Sequence, residues 1–594
     1  MNKEFRFLYP YIKPHRLKMS AGAMMVALSV FLEMIPVILL KETVDFFRND
    51  SINPYVLQLV SLFSDNTGGP EYLIAISSLV LFFAVLSGIF LFFQRWLIIT
   101  SSRKIEYRLR ENYFDRLLKF PKKFYLKRNT GDLMSVATND LNRVRDMIGA
   151  GTLHVLRTTV SAVFIITAMV LLDKRLSLFA VLPLLIMPVL AVRFLSLIHS
   201  AFRRAQEKLG QVNNFLKENF SGIFVIKSYT REEDEERRFD AINKEMLHYN
   251  LKLARMRSFF FPLLIFFSGI GLSLLFYFGG KSVIAGDTTL GTLVALSTYF
   301  TRLVWPLVGF GWVLTMVRQG IVSTGRFREI MEDPSDMLEG GYRAKLKGEI
   351  EFKNFNFKYP GTDIKVLDDI NIRIPAGSRA ALTGPTGSGK STLVSCVLRM
   401  YEVARGTLFL DGVDIMDYNS DSLRENIASV PQETFLFSDT IENNITYGIE
   451  DEDTASVEGS VLFAALDKDI ESFPEGEKQV LGEKGVNLSG GQKQRAAIAR
   501  AHMRGSSSFI FDDSLSAVDS GTEERILDNI KKHGNSKTML FVSHRISAIM
   551  DADIIFVIED GHITAQGTHE QLINKDGYYK RTYEIQKIER DLNA

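Results

Sequence analysis

The 594 residues include a single cysteine, Cys396. No intrachain disulfide can form, so a disulfide-stapled secreted scaffold is excluded, and inert packing is the expected role of the thiol. An excess of one charge sign is missing too: 70 Lys and Arg face 69 Asp and Glu, leaving a net +1. Bulk electrostatics therefore give no reason to expect a nucleic-acid partner. Internal repeats and low-complexity tracts are absent. A cleavable leader is not expected either, because the apolar run after Lys18 is too long and lacks a small-residue cleavage site. The first apolar span is expected to remain in the mature protein.

Apolar sequence is abundant, and it is concentrated in the first 320 residues. Uncharged runs occupy Tyr72 to Gln94, Thr158 to Leu172, Leu176 to Val192 and Ser258 to Gly280. A hydrocarbon layer about 30 Å thick needs roughly 20 such residues per helix. Two further runs carry one ionisable residue each, Glu33 within Met19 to Leu40 and Arg302 within Thr288 to Val317. Six membrane helices are expected. Glu33 and Arg302 are candidates for a substrate cavity, since a charge inside a span is costly unless it faces a cavity or a partner. Pro36 and Pro306 are expected to kink the first and last helices.

Lys3, Arg6, Lys13, Arg16 and Lys18 precede the first span, and segments 101–150 and 193–257 are rich in Lys and Arg. The positive-inside rule places these in the cytoplasm. Residues 41–71, Asp173-Lys174-Arg175 and Gly279 to Asp287 then lie outside. Cytoplasmic stretches of about 50 to 65 residues with helical periodicity are too long for turns, so they should extend the membrane helices below the bilayer. A polar, Gly-containing stretch at 332–346 marks a linker. Beyond it, alternating Ile350, Phe352, Phe355 and Phe357 begin a mixture of strand and helix signals. The expected fold is a membrane all-α six-helix domain (1–331), the linker (332–346) and an α/β P-loop NTPase domain (347–594).

Gly384-Pro385-Thr386-Gly387-Ser388-Gly389-Lys390-Ser391-Thr392 follows a strand-like run and opens a helix. Glycines let backbone N–H groups approach phosphates, the lysine reaches the β- and γ-phosphates, and the Ser391 hydroxyl suits Mg²⁺. ATP and Mg²⁺ are therefore expected. A second anion-suited helix start, Leu488-Ser489-Gly490-Gly491-Gln492, precedes Lys493-Gln494-Arg495. One triphosphate does not need two cradles in one domain.

This second motif resembles the signature of the ATP-binding cassette (ABC) superfamily. There each ATP is sandwiched between one domain's P-loop and another domain's signature, so the resemblance implies a partner cassette. Across essentially the whole chain the order of elements is similar to that of type IV exporters, and in particular to one subunit of bacterial heterodimeric multidrug exporters. On that resemblance Tyr359 stacks on adenine, Gln432 contacts Mg²⁺ and water, Asp512 positions Mg²⁺, Ser516 to Asp519 form the D-loop, and His544 touches the γ-phosphate. Gly482 to Gly485 resemble the exporter loop before the signature, and short helices near 138–143 and 220–225 are candidates for coupling helices.

Asp513 departs from the pattern. The family places a catalytic glutamate there, and aspartate is one methylene shorter. The resemblance leaves two readings: a heterodimer whose partner owns the working base, or a homodimer using Asp513 with His544 and Gln432. An ATP-gated regulatory or channel-like subunit is an alternative of a different class. Expected surroundings are a second half-transporter, the lipid bilayer of the cytoplasmic membrane and a small hydrophobic or amphipathic cargo, lipids included. The N-terminus and cassette are expected in the cytoplasm.

Overall fold

The computed structural model describes residues 3–48, 56, 58, 70–184, 186–334, 340–449, 457–533 and 537–593. It divides into two compact units, Met1–Leu118 with Thr130–Asp333, and Lys119–Asn129 with Pro334–Ala594.

The first unit is helical. Its long elements are Arg16–Phe47, Pro70–Lys119, Thr152–Leu172, Ile186–Ser221, Glu232–Ala285 and Leu290–Met331. The Pro70–Lys119 helix has 50 residues and Glu232–Ala285 has 54. At 1.5 Å per residue these run about 75 and 80 Å, more than twice the hydrocarbon thickness. Among the described residues five helical stretches are long and apolar enough to cross a membrane. The expected span Leu176–Val192 contains residue 185, which lies outside the described residues; Lys174–Leu184 before it and Ile186–Ser221 after it are both helical. Most of the expected outer loop 41–71 also lies outside them.

Buried polar contacts fix how these helices meet. Asp45, fully buried near the end of Arg16–Phe47, accepts hydrogen bonds from Gly291 N at 2.8 Å and Thr289 Oγ1 at 3.0 Å, with Lys41 Nζ at 3.1 Å. A Cβ on Gly291 would sit 2.3 Å from the Lys41 carbonyl, so only glycine permits this approach. Pro36 and Pro306 both sit inside continuous helices.

The candidate coupling helix at 138–143 is corrected by the structure. Those residues belong to an unbroken helical path from Thr130 to Leu172, widened by π-turns at Val136–Asp140 and Met147–Gly151. Buried Asp140 binds Ser323 Oγ at 2.7 Å and Arg326 at 3.0 Å, holding this path to Leu290–Met331. The separate short helix is Lys122–Lys127, begun by Pro121 and braced by stacked Phe120 and Phe124. Residues 119–129 were expected with the membrane half; they pack on the cassette, where Lys123 pairs with Glu402 at 3.8 Å. At 220–225 the chain turns at Gly222 into the short helix Ile223–Ser228.

The second unit is α/β. An antiparallel sheet of β1 (Ile350–Lys358), β2 (Lys365–Ile374), β4 (Leu408–Leu410) and β5 (Val413–Asp414) has the order β2-β1-β4-β5. A six-stranded sheet runs β10-β9-β3-β8-β7-β6, with β3 (Arg379–Thr383), β6 (Ile427–Val430), β7 (Ser508–Asp512), β8 (Thr538–Val542) and β9 (Ile554–Glu559) all parallel and β10 (His562–Gly567) antiparallel at the edge. Every residue of β7 and β8 is buried, as a sheet covered on both faces requires.

Candidate nucleotide site

The carboxyl ends of β3, β7 and β8 lie side by side, the place where open parallel sheets bind ligands. The phosphate loop leaves β3 and enters the helix Lys390–Val397 through three left-handed or extended glycines, Gly384 (φ +153°), Gly387 (+85°) and Gly389 (+102°). At Gly384 an added Cβ would fall 1.9 Å from the Ile558 carbonyl. The loop's tight path beside β9 thus depends on a residue without a side chain.

A cavity of about 330 Å³ opens here. It is lined by Tyr359, Thr386, Gly387, Gly389, Lys390, Ser391, Thr392, Gln432, Asp512, Asp513 and His544, so residues from five separate stretches converge. Val366 and Val542 complete the wall; no motif marked them. Tyr359 Oη lies 2.8 Å from Thr392 Oγ1, which ties the aromatic to the helix after the loop. Lys390 Nζ donates to the Gly384 and Pro385 carbonyls at 2.9 and 2.7 Å and approaches Ser388 Oγ at 3.4 Å.

Charges in the cavity are tuned by burial. Lys390 is pushed down to about 8, against the pull of Asp513 and Asp512. Burial raises the Asp512 carboxyl, opposed by the Ser391 hydroxyl and reinforced by Asp513. Burial and then Lys390 hold His544 below its ordinary value, so its imidazole is neutral at pH 7.

Ser391 Oγ donates to Asp512 Oδ1 at 3.1 Å, bringing a hydroxyl and a carboxylate oxygen together where a hard cation would take both. Gln432 Nε2 reaches Asp513 Oδ2 at 3.5 Å. Asp513 itself adopts φ +48°, a conformation that Asp and Asn tolerate better than most residues.

Ser489, Gly490, Gly491 and Gln492 do not join this cavity. They form the start of the helix Gly490–Met503, closed by a capping box in which Gln492 N donates to Ser489 Oγ at 3.3 Å and Ser489 N to Gln492 Oε1 at 2.8 Å. Gln494, which sequence reasoning did not single out, ties this helix to the D-loop by accepting from Ala517 N at 3.0 Å and donating to Ser516 Oγ at 3.2 Å.

In the membrane unit Glu33 and Arg302 also meet, though not as an ion pair. Glu33 Oε1 pairs with Arg157 at 2.7 Å, whereas Arg302 donates to the Glu33 carbonyl at 2.6 Å. Arg157 stands one residue before the uncharged run Thr158 to Leu172, where the sequence alone does not mark it. A second cavity of about 420 Å³ lies between Glu232–Ala285 and Leu290–Met331, walled by Leu264, Ile265, Leu272, Phe300, Val304 and Trp305.

Residues 18–307 match the model of the ABC transporter transmembrane region, and residues 367–516 that of the ABC transporter family. The chain is 34% identical over 86% of its length to 88% of the probable multidrug resistance ABC transporter ATP-binding/permease protein YheI of Bacillus subtilis. It is 30% identical over 98% of its length to 97% of the ATP-dependent lipid A-core flippase of Photobacterium profundum. A solved bacterial Atm1-family ABC exporter with ATP bound superposes with a TM-score of 0.73 at 26% identity, covering 96% of this chain and 99% of that one. With a transmembrane helical domain, an ABC nucleotide-binding domain and relatives of this kind, the chain belongs to the ABC transporters and couples ATP hydrolysis to transport.

Proposed function

We propose that the chain is one half of a dimeric exporter that moves hydrophobic or amphipathic compounds, drug-like molecules or lipids, out of the cytoplasm or its facing leaflet. The observation that carries the dimer is the separation of two anion-binding elements: the phosphate loop builds a cavity, while the capped Ser489–Gln492 helix start stands outside it. A second cassette supplies the missing wall. ATP then bridges Lys390, Ser391 and Thr386 of one chain to the signature of the other, with Tyr359 against the adenine.

Ser391, Asp512 and Gln432 would hold Mg²⁺, whose chemistry is to neutralise charge on the β- and γ-phosphates. Asp513 accepts a proton from the attacking water, Gln432 helps to place that water, and neutral His544 donates toward the γ-phosphate. General-base assistance is worth about 10²–10⁴-fold, and a misplacement near 1 Å forfeits about 10². The short Asp513 side chain makes this site slow, which favours a heterodimer whose partner carries a longer base while this chain's intact signature completes the partner's site.

The exposure of Ile223, Phe224 and Val225 supports the reading of Ile223–Ser228 as a coupling helix. The apolar cavity beside Phe300 and Trp305 supports a hydrophobic cargo. Exposed Arg302 has no carboxylate in ion-pair range among the described residues, consistent with a place on a polar cavity wall. The test is uptake of a lipophilic fluorescent dye into inside-out membrane vesicles. ATP-dependent accumulation abolished by Lys390→Ala supports export; ATP-independent flux that only follows the gradient supports the channel-like alternative instead.

A further inference from the structure

The switch segment after β8 is held from outside the nucleotide cavity by the carboxyl-terminal helix Tyr578–Asn593. Half-buried Gln586 donates through Nε2 to the His544 carbonyl at 2.7 Å and accepts at Oε1 from Ile546 N at 2.8 Å. One side-chain amide thus brackets Arg545 as a neighbouring strand would, and the two partners fix which way the amide points.

The surrounding contacts leave the segment little freedom. Ser543 N donates to the Leu382 carbonyl at 3.2 Å, and Arg545 N to Ser543 Oγ at 2.9 Å. The Arg545 guanidinium binds Glu523 at 2.6 Å and the Ser516 carbonyl at 2.8 Å. The peptide joining His544 to Arg545 is thus held at its N–H by Ser543 Oγ and at its carbonyl by Gln586, which fixes the backbone from which the imidazole projects. The helix itself is anchored by buried Tyr579, whose Oη lies 2.7 Å from His569 Nδ1.

We infer that Gln586 is a positioning residue for the switch histidine: by clamping the backbone on both sides of Arg545 it aims His544 at the terminal phosphate. This rests on the reading of His544 as the γ-phosphate contact. The γ-phosphate is what separates ATP from ADP, so the loss should appear as lost discrimination between them, whatever the hydrolysis rate of this site.

The test measures affinities of the full-length chain for a non-hydrolysable ATP analogue and for ADP, both with Mg²⁺. Gln586→Ala should weaken the analogue about tenfold and leave ADP within about twofold. Gln586→Asn, the same amide one methylene short, should behave likewise. His544→Ala should match them, and His544→Ala/Gln586→Ala should lose no more than His544→Ala alone, because both act through one contact. Ile588→Ala on the exposed face of the same helix should change neither affinity. Equal weakening of both nucleotides, no change in either, or additive losses in the double variant would overturn the role of Gln586. An unchanged ratio in His544→Ala would instead sink the reading of the histidine itself, and the inference with it.

Discussion

Gln432 Nε2 and Asp513 Oδ2 approach to 3.5 Å across 81 residues of sequence, at the long limit of a hydrogen bond. The loop after β6 and the end of β7 therefore bring an amide and a carboxylate to one point.

Nucleotide binding should take up a proton at alkaline pH. Lys390 titrates near 8 in the folded protein, so it is mostly charged at pH 7 and mostly neutral at pH 9. A triphosphate favours the charged form, so affinity falls as pH rises through 8 and binding at pH 8.5 draws a proton from the buffer. Calorimetry in two buffers of different ionisation enthalpy measures that proton directly.

Asp512→Asn should remove the gain in ATP affinity that Mg²⁺ provides. The Ser391–Asp512 contact is the oxygen pair such an ion would use, and an amide oxygen lacks the charge. Titration with and without EDTA checks it; affinity without the ion should stay within about threefold of the unmodified chain.

Gly384→Ala should cost about 3 kcal/mol or more of cassette stability, since the Cβ would meet the Ile558 carbonyl at 1.9 Å and the backbone there is unfavourable for any side chain. Thermal unfolding and loss of nucleotide binding report it together.

Glu33→Ala should destabilise the membrane unit by about 1–2 kcal/mol, less than a fully buried pair would lose because both side chains are about a third exposed (32% and 31%). Arg157 is left without its carboxylate. Glu33→Gln with Arg157→Gln should recover most of the loss, as unfolding of the lipid-reconstituted protein would show.

Legibility differed between the two units for a physical reason. The phosphate loop and the Ser489 helix start were readable because a few contiguous residues dictate each locally, the positive-φ glycines Gly384, Gly387 and Gly389 in one and the Ser489–Gln492 capping box in the other. Arg157 pairs with Glu33 over 124 residues, and Gln586 reaches the His544 carbonyl over 42. Neither lies in a motif, and only the tertiary fold gives them partners. The coupling-helix expectation at 138–143 failed because charged helical periodicity does not distinguish a free short helix from a turn within a long one. Pro121, which begins Lys122–Lys127, was the usable signal.

The most direct test of the slow-site account is ATP turnover by the purified chain alone in lipid nanodiscs, compared with its Asp513→Glu and Asp513→Asn forms. The account predicts turnover well below the roughly 10 s⁻¹ typical of enzymes, little further loss with Asn, and a gain of up to about 10²-fold with Glu as the carboxylate reaches the water. Turnover at full exporter rates that Asp513→Asn abolishes would contradict it.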